Sequence, residues 1–334
     1  MSRLRLALIG AGTFVRKAHA PAYAALQEQC QVVAVCSRSH ESAAAVAALL
    51  PEAVTIYDHI PSLLAMEKLD AVDIVLPIPL LPEVTALALA AGVHVMSEKP
   101  IAPTLAEARP LLDLHSKRPG QVWMVAENWR YEEAFVAAGR AIREGVIGRP
   151  LTCDFALQLP VMPDTPNYRT VWRRSGGFPG GFLLDGGVHH VAGLRLVLGE
   201  IEAVGAVVAQ QREDLPPADT LAAWLRFANG VIGSYTVTYA GGSPLGDNGL
   251  HVVGSAGSLR VTTQKLLIQR GTERREESFG LPFSTHREIA AFVESARTGA
   301  PHRNTPQEAL ADLAVVEALL AAGEKGREVQ VSER

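Results

Sequence analysis

Three polar residues carry side chains suited to moving protons at a reacting carbon. Lys99 precedes Pro100 at the carboxyl end of a predicted parallel strand, where ligands bind in open α/β sheets. Asp185 and His189 stand four residues apart, so a helix would place the carboxylate beside the imidazole and raise its basicity. An ammonium can polarise a substrate oxygen, and an imidazole can exchange its proton. The alternatives are an exposed lysine and a helix-surface ion pair, although the glycines near Asp185 disfavour an exposed helix.

A glycine-rich turn near the start of the chain is the next candidate site. Gly10 and Gly12 follow the apolar run Leu4–Ile9 and precede a predicted helix, the setting in which backbone amides bind a pyrophosphate. Val15 stands where a third glycine or alanine is expected, so a merely tight turn remains the alternative. The predicted dinucleotide contacts of this turn are Gly10, Gly12, Thr13 and Phe14.

The residues after the second predicted strand indicate which dinucleotide is bound. An acidic side chain about 20 residues beyond the glycine turn would hydrogen-bond the ribose 2′-hydroxyl of NAD(H). This chain has Ser37 and Arg38 there. Because no carboxylate repels a 2′-phosphate, and because a hydroxyl and a guanidinium can donate to it, we predict that NADP(H) is preferred over NAD(H). The alternative is that Arg38 is a solvated surface charge.

The elements that must position these residues follow a regular pattern. In the first part of the chain, short apolar runs alternate with amphipathic stretches, which predicts a doubly wound parallel sheet. The predicted strands are Leu4–Ile9, Gln31–Cys36, Val54–Ile56, Val72–Leu76, Val93–Ser97 and Val122–Ala126. The predicted helices are Ser39–Leu49, Leu81–Ala91 and Thr104–His115, with Thr104 as the capping residue of the last.

After Pro150 the pattern changes to consecutive strands with turn signals such as Asn229-Gly230, which predicts a mostly antiparallel sheet. The predicted strands are Leu151–Leu159, Glu202–Gln211, Leu221–Phe227, Val231–Tyr239, Leu250–Val253, Ser258–Val261 and Leu266–Gln269. Helices are predicted at Thr285–Arg297 and Thr305–Ala322, and we expect both to pack on one face of that sheet.

Composition narrows the class of protein and of partner. With 334 residues, 48% of them hydrophobic, the chain can build two globular domains. A formal charge of -4 without a Lys/Arg-rich block argues against nucleic acid as a partner. The cysteines, Cys30, Cys36 and Cys153, lack metal-ligand spacing, so neither a disulfide nor a metal site is predicted. No membrane span or signal segment is recognisable, and a cytoplasmic location is expected.

The motifs together resemble the glucose-fructose oxidoreductase/inositol dehydrogenase/MocA family in order and spacing. The segments that carry the resemblance are Ala7–Gly12, Ala71–Val75, Ala91–Val95, Glu98-Lys99-Pro100 and Asp185-x-x-x-His189. It implies an α/β protein with a Rossmann domain, residues 1–127, and an α+β domain, residues 128–334, with a large, mostly antiparallel sheet. The open face of that sheet would form a homodimer or homotetramer.

The resemblance also implies roles for individual residues. Lys99 matches the lysine near the nicotinamide and the substrate, Asp185 the motif acid, and His189 the general acid/base. The Lys99–Pro100 bond is often cis in this family. Further implied or predicted cofactor contacts are Pro77, Pro79, Glu98 and Lys99. The predicted substrate contacts are Asn128, Arg130, Tyr168, Trp172, Arg173 and His190.

Two features bear on the substrate. Leu80 and Leu81 stand where the family often has a histidine, and Ala192 replaces an acid expected three residues after His189, so some contacts to a polyol are missing. Residues 165–177, rich in arginine and aromatic side chains and flanked by glycines, resemble a substrate-covering loop; the alternative is a structural loop with surface arginines.

We therefore predict an NADP(H)-dependent oxidoreductase. It would transfer hydride between nicotinamide C4 and a hydroxyl or carbonyl carbon of a small substrate, namely a sugar, a polyol, an aldehyde or a ketone. The alternatives are a non-catalytic dinucleotide-binding regulator and a nicotinamide-dependent glycoside hydrolase of the same fold.

Overall fold

The computed structural model describes residues 2–242, 248–280 and 284–332. By their contacts the chain divides into two compact units, Met1–Asn128 with Phe283–Leu310, and Trp129–Pro282 with Ala311–Arg334. The predicted domains were 1–127 and 128–334, and the units differ from them mainly in segment 283–310, which groups with the first unit.

The first unit is built on a parallel sheet. Its strands are β1 (Leu4–Ile9), β2 (Cys30–Cys36), β3 (Thr55–Tyr57), β4 (Ala71–Ile74), β5 (His94–Glu98) and β6 (Trp123–Ala126). Among the described residues they form one sheet in the order β3-β2-β1-β4-β5-β6, with every pairing parallel. The order reverses between β1 and β4, which creates the switch point at which open α/β sheets bind ligands. The predicted doubly wound sheet is confirmed.

Helices connect these strands and cover the sheet. They are a π-helical segment at Val15–His19, α1 (Ala20–Ala25), α2 (His40–Ala47), α3 (Ile60–Met66), α4 (Leu81–Ala91) and α5 (Leu105–Ser116). Thr104 caps α5 as predicted, since its hydroxyl accepts a hydrogen bond from the Glu107 amide at 3.3 Å. Strands such as β1 are apolar along almost their whole length because helices lie on both faces.

The second unit contains a large mixed sheet. Its strands are β7 (Pro150–Gln158), β8 (Ile201–Ala209), β9 (Thr220–Phe227), β10 (Ile232–Thr238), β11 (Gly249–Gly254), β12 (Gly257–Val261), β13 (Lys265–Arg270), β14 (Glu273–Ser278) and β15 (Val329–Gln330). In the described ranges their order is β14-β13-β12-β11-β7-β10-β9-β8-β15. The β7–β10 pair is parallel and the other pairs are antiparallel, which confirms the predicted mostly antiparallel sheet.

One face of this sheet carries helices. The helices of the second unit are α6 (Glu133–Arg143), α7 (Phe182–Asp185), α8 (Gly187–Leu198) and most of α10 (Pro306–Lys325). Along β7 the burial alternates strictly from Cys153 to Gln158, so one face is buried and the other is open to solvent. Large apolar side chains are exposed on three adjoining strands: Val207 on β8, Trp224 on β9 and Ile232 on β10.

The prediction for the helix near residue 290 was partly wrong. The helix forms as α9 (Ser284–Thr298), but it belongs to the first unit rather than to the second sheet. Ile289, Phe292 and Val293 are buried in the same apolar core as Leu6 and Leu8 of β1. The spacing of apolar residues shows that one face of a helix is buried, but it does not show which sheet that face packs against.

No helix in the part of the chain that the structure describes combines the length and apolar character that crossing a membrane requires.

Candidate active site

The glycine turn lies at the switch point of the first sheet. Gly10 has φ +116°, and a β-carbon there would lie 2.2 Å from the Val75 carbonyl oxygen, so conformation and close approach both require glycine. A β-carbon at Gly12 would meet no described atom within 4 Å. Thr13 and Phe14 are exposed. The turn therefore presents an open backbone surface that fits the pyrophosphate of a dinucleotide.

Val15, at the place of the missing third glycine, is fully buried in the apolar core. It begins the π-helical segment Val15–His19. The chain thus packs its first helix against the sheet with a valine and a locally widened helix, where the usual motif relies on a small residue.

The segment after β2 displays a cation. The Ser37 hydroxyl accepts a hydrogen bond from the Ser39 amide at 3.2 Å, and the Ser39 hydroxyl caps α2 by accepting from the Ser42 amide at 3.2 Å. Arg38 is exposed, and among the described residues no hydrogen bond or ion pair engages its guanidinium. This guanidinium, next to the N-terminus of α2, is available to an anionic group.

Glu98 and Lys99 lie at the end of β5. The Glu98 side chain is buried, Lys99 is half-buried, and Glu98 Oε2 accepts a hydrogen bond from the Lys99 amide at 3.2 Å. The Lys99–Pro100 peptide is cis, as the resemblance implied. Pro77 and Pro79 follow β4, in and beside the 3-10 turn Ile78–Leu80. All the predicted dinucleotide contacts follow or end β1, β2, β4 or β5, so they lie along one edge of the parallel sheet.

A buried histidine lies between two carboxylates at the same edge. His19, at the end of the π-helical segment, has Nδ1 at 2.6 Å from Asp73 Oδ2 and Nε2 at 3.3 Å from Glu98 Oε1. Burial by itself lowers the pKa of His19, but the charges and hydrogen bonds of Asp73 and Glu98 outweigh it and raise the pKa to about 10. His19 is therefore an imidazolium at neutral pH. In the described ranges no group of three or more His, Cys, Asp or Glu side chains is arranged to hold a metal ion.

In the second unit, Asp185 and His189 lie in two consecutive helices that meet at Gly186. The Asp185 amide donates to the Gly181 carbonyl at 3.0 Å, and the His189 amide donates to the Gly186 carbonyl at 3.1 Å. A β-carbon on Gly186 would lie 1.9 Å from the Tyr239 hydroxyl, which explains the glycine. Asp185 is buried and His189 is half-buried.

Aromatic and cationic groups hold both side chains. The His189 ring stacks on Trp129, with ring centroids 6.2 Å apart and an interplanar angle of 16°. Asp185 Oδ2 accepts a hydrogen bond from Arg173 Nε at 2.7 Å, and the Arg173 guanidinium lies 4.4 Å from the Trp172 ring centroid. Residues 165–177 therefore include an ion-pair partner of the predicted catalytic acid.

Tyr168, in the same loop, packs its ring against the Arg174 guanidinium at 4.2 Å. The Arg174 Nε also donates to the Tyr168 carbonyl at 2.6 Å. A cation–π contact and a hydrogen bond thus join Tyr168 to Arg174 within the loop.

Three other predicted substrate contacts have partners within their own units. Asn128 Nδ2 donates to Ser284 Oγ at 2.8 Å. Arg130 is buried and pairs with Asp312 at 2.8 Å. His190 is buried, with Nδ1 at 2.7 Å from the hydroxyl of Tyr235 on β10. For these residues a contact with substrate stays a prediction.

Comparison with protein-family models gives two matches that account for both units. Residues 4–126 match the model described as the NAD-binding Rossmann fold of the Gfo/Idh/MocA oxidoreductase family. Residues 140–331 match its C-terminal alpha/beta domain. The chain belongs to the Gfo/Idh/MocA oxidoreductase family.

Individual relatives agree with this assignment. The chain is 31% identical to "Dehydrogenase FPY6" of Fusarium mangiferae over 338 residues, which cover 95% of each chain. It is 31% identical to an oxidoreductase from Thermotoga maritima of known structure, with a TM-score of 0.92 and 99% of each chain covered. It is also 31% identical over 268 residues to levoglucosan dehydrogenase of Pseudarthrobacter phenanthrenivorans, covering 71% of this chain and 68% of that enzyme. This Gfo/Idh/MocA protein is an NAD(P)-dependent oxidoreductase.

The sequence did not single out three residues that contact predicted site residues of this Gfo/Idh/MocA protein, directly or through one another. His19 and Asp73 form a buried ion pair, and Trp129 supports the His189 ring. One signal was available: Asp73 interrupts the apolar β4, and a carboxylate at the centre of a parallel sheet needs a partner. Nothing in the local sequence indicates that the partner is His19.

Proposed function

We propose that this oxidoreductase uses NADP(H) to interconvert a hydroxyl and a carbonyl group on a small, carbohydrate-like substrate. The observation that carries the proposal is the presence of Lys99, Asp185 and His189, each buried or half-buried, in a chain of this family. A binding protein without catalysis would not need an ammonium, a carboxylate and an imidazole in these places.

The choice of dinucleotide rests on the end of β2. A 2′-phosphate carries negative charge, which the exposed Arg38 guanidinium and the N-terminus of α2 can attract. An aspartate or glutamate, which would hydrogen-bond the 2′-hydroxyl of NAD(H), is missing at Ser37 and Arg38.

The residues divide the work of the reaction. When bound, the dinucleotide supplies hydride exchange at nicotinamide C4. His189 takes the proton from the substrate hydroxyl during oxidation and returns it to the carbonyl oxygen during reduction. Lys99 supplies a cation for negative charge that develops on the substrate. Asp185, whose carboxylate is paired with Arg173 at 2.7 Å, is the acid of this catalytic set.

Relatives with carbohydrate substrates support the substrate class. Besides levoglucosan dehydrogenase, the chain is similar to D-apiose dehydrogenase of Paraburkholderia graminis, with 26% identity over 350 residues. It is also 31% identical over 270 residues to 1,5-anhydro-D-fructose reductase of Ensifer adhaerens. Because the methyl side chain of Ala192 cannot hydrogen-bond a hydroxyl, we propose a substrate with fewer free hydroxyls than inositol, such as an anhydro- or deoxy-sugar.

Fluorescence titration with NADPH and NADH tests the cofactor. We expect NADPH to bind at least about tenfold more tightly, and Arg38→Ala to weaken NADPH binding by about tenfold or more while NADH binding, the internal control, changes little. Tighter binding of NADH by the wild-type protein would overturn this part of the proposal.

A panel of sugars, polyols, aldehydes and ketones tests the reaction. With the best substrate, Lys99→Ala and His189→Ala should each lower kcat/KM by orders of magnitude, whereas Lys117→Ala, which removes an exposed lysine, should not. Wild-type rates in both site variants would refute the mechanism. Tight dinucleotide binding without turnover on any compound would favour a regulator, and glycoside cleavage without net change of bound cofactor would favour the hydrolase.

We also propose that two copies of the chain meet through the open face of the second sheet. Val207, Trp224 and Ile232 expose large apolar side chains there, and such a patch favours an interface. Light scattering should show a dimer or tetramer for the wild-type protein and a smaller species for Trp224→Asp with Ile232→Asp. A wild-type monomer at micromolar concentration would refute this assembly.

A further inference from the structure

The His19 ring bridges two acceptor groups in the first unit. Its Nδ1 faces Asp73 on β4 and its Nε2 faces Glu98 on β5, at 2.6 and 3.3 Å, and the His19 and Asp73 side chains are 1% and 0% exposed. An ionised carboxylate only accepts hydrogen bonds, and a neutral imidazole has a single N–H. With both carboxyls ionised, the hydrogen bond to Asp73 needs a proton on Nδ1, and the ion-pair contact of Nε2 with Glu98 Oε1 at 3.3 Å is attractive only when the ring is positively charged.

Glu98 extends this chain of contacts to Lys99. One carboxylate oxygen, Oε1, faces His19, and the other, Oε2, accepts a hydrogen bond from the Lys99 backbone amide at 3.2 Å. The Glu98 carboxylate thus connects the buried imidazolium to the backbone of the residue whose ammonium enters the proposed reaction.

We propose that His19 is a positioning residue for Lys99: it fixes the Glu98 carboxylate, and that carboxylate fixes the backbone at Lys99. The role assigned to Lys99 rests on the proposed function, whereas the contacts of His19 and Glu98 can be tested without it. His19 is not a catalytic residue in this proposal, because it acts only through Glu98.

The ionisable groups around His19 are acidic, so His19 supplies the positive charge among them. The ionisable groups around it are Asp73, Glu98 and Glu288, with the Tyr23 hydroxyl beside Asp73. Burial, and then the negative charges of Glu98 and Glu127, raise the pKa of Glu288 well above its ordinary value, which favours the neutral form of this carboxyl, and Asn304 Nδ2 donates a hydrogen bond to it at 2.6 Å. The positive charge of the His19 imidazolium therefore offsets the negative charges of Asp73 and Glu98, not a charge on Glu288.

Histidine suits this place for a geometric reason. The rigid ring reaches two strands at once, with a hydrogen bond between Nδ1 and Asp73 on β4 and an ion-pair contact between Nε2 and Glu98 on β5. The Phe14 ring packs edge-on against the imidazole with centroids 5.1 Å apart, which restrains its orientation. Glutamine at the same position would keep a donor for Asp73 but would lack the positive charge that faces Glu98.

The protonation state is measured first, on the unmodified protein. With ¹⁵N-histidine labelling, NMR should show two protonated ring nitrogens for His19 that do not titrate from pH 6 to pH 8.5. A neutral ring with a single N–H at pH 7 would overturn the proposal. This measurement needs neither a substrate nor a variant.

Amide hydrogen exchange at Lys99 tests the connection to the backbone. With ¹⁵N-lysine labelling, His19→Gln should raise the exchange rate of the Lys99 amide by about tenfold or more, as expected when the hold on its acceptor is loosened. The matched control is His115→Gln, which removes another histidine of the first unit, one that bonds the Gln121 carbonyl. Equal exchange rates at Lys99 in His19→Gln and in the wild type would refute the role.

Kinetics then separate positioning from binding. His19→Gln should lower kcat by about 10- to 100-fold and change the Kd of NADPH less than about threefold, because a displaced reacting group affects the chemical step most. Unchanged kcat would refute the link from His19 to catalysis. Failure of the proposed function is recognised separately: Lys99→Ala would then keep wild-type turnover, whatever the exchange data show.

Discussion

Replacing His19 with glutamine should change how the stability of the first unit depends on pH. In the folded chain, burial lowers the pKa of this histidine, but the carboxylates of Asp73 and Glu98 raise it to about 10. In the unfolded chain the value returns to the ordinary 6.5. A pKa raised by folding means that the folded state binds the proton more tightly, so protonation stabilises the fold.

The sign and size of the effect follow from these values. The stabilisation is complete below pH 6.5, where both states carry the proton, and it is lost as the pH rises towards 10. At 1.36 kcal/mol per pH unit, the whole interval corresponds to about 5 kcal/mol of unfolding free energy, and the part between pH 7 and pH 9 to about 2.5 kcal/mol. His19→Gln lacks this dependence, so the stability gap between wild type and variant should narrow by about 2.5 kcal/mol over that range.

Urea unfolding at pH 7, 8 and 9 measures the gap. Labelling with 5-fluorotryptophan lets the buried Trp123 report the first unit separately from Trp129, Trp172 and Trp224 of the second. Burial raises the pKa of the Cys30 thiol to about 11, so thiol ionisation also destabilises the fold near pH 9, but equally in both proteins. A gap that stays constant from pH 7 to pH 9 would show that His19 is neutral in the folded chain and would refute the reasoning.

Three further substitutions have expected outcomes. Gly10→Ala should destabilise the first unit by at least about 2 kcal/mol and weaken NADPH binding, because it strains the backbone and clashes with a carbonyl; an unchanged urea midpoint would contradict this. Asp312→Asn should cost about 3–5 kcal/mol in urea unfolding, since this buried carboxylate joins two buried guanidiniums, whereas Glu200→Gln, at a more exposed carboxylate, should cost less. Thr104→Ala should lower stability by about 1 kcal/mol through loss of the helix cap, and should leave dinucleotide affinity unchanged.

Helices and strands could be predicted wherever a buried face makes apolar residues recur at a regular spacing in the sequence. The spacing predicts β1 and α4 with the same bounds that the structure shows, because apolar residues dominate each element. β14, at Glu273–Ser278, was missed: it is an exposed edge strand of mostly charged residues, with no apolar face to reveal it. Charged residues on an edge strand prevent another strand from pairing with it.

The candidate site could be predicted where its reactive residues lie close together in the sequence. The glycine turn, the Glu-Lys-Pro step and the Asp185–His189 pair each lie within a few residues, so their spacing could be interpreted directly. His19 and Asp73 lie 54 residues apart, and their pairing depends on where the first helix crosses β4. No local pattern carries that information, because the fold alone brings the two side chains together.

We infer that Asp73 is retained in β4 for the proposed site rather than for a net gain in stability over an apolar residue. Removing a carboxylate and an imidazolium from water costs free energy, and an ion pair in the interior often stabilises no more than apolar residues of similar volume would. A valine at residue 73 would suit the apolar β4, whose other residues are also buried. The chain instead keeps an aspartate there, which holds the imidazolium that faces Glu98. Since Glu98 precedes Lys99 and accepts its amide hydrogen bond, the unfavourable burial of charge is best explained by the position it gives to Lys99.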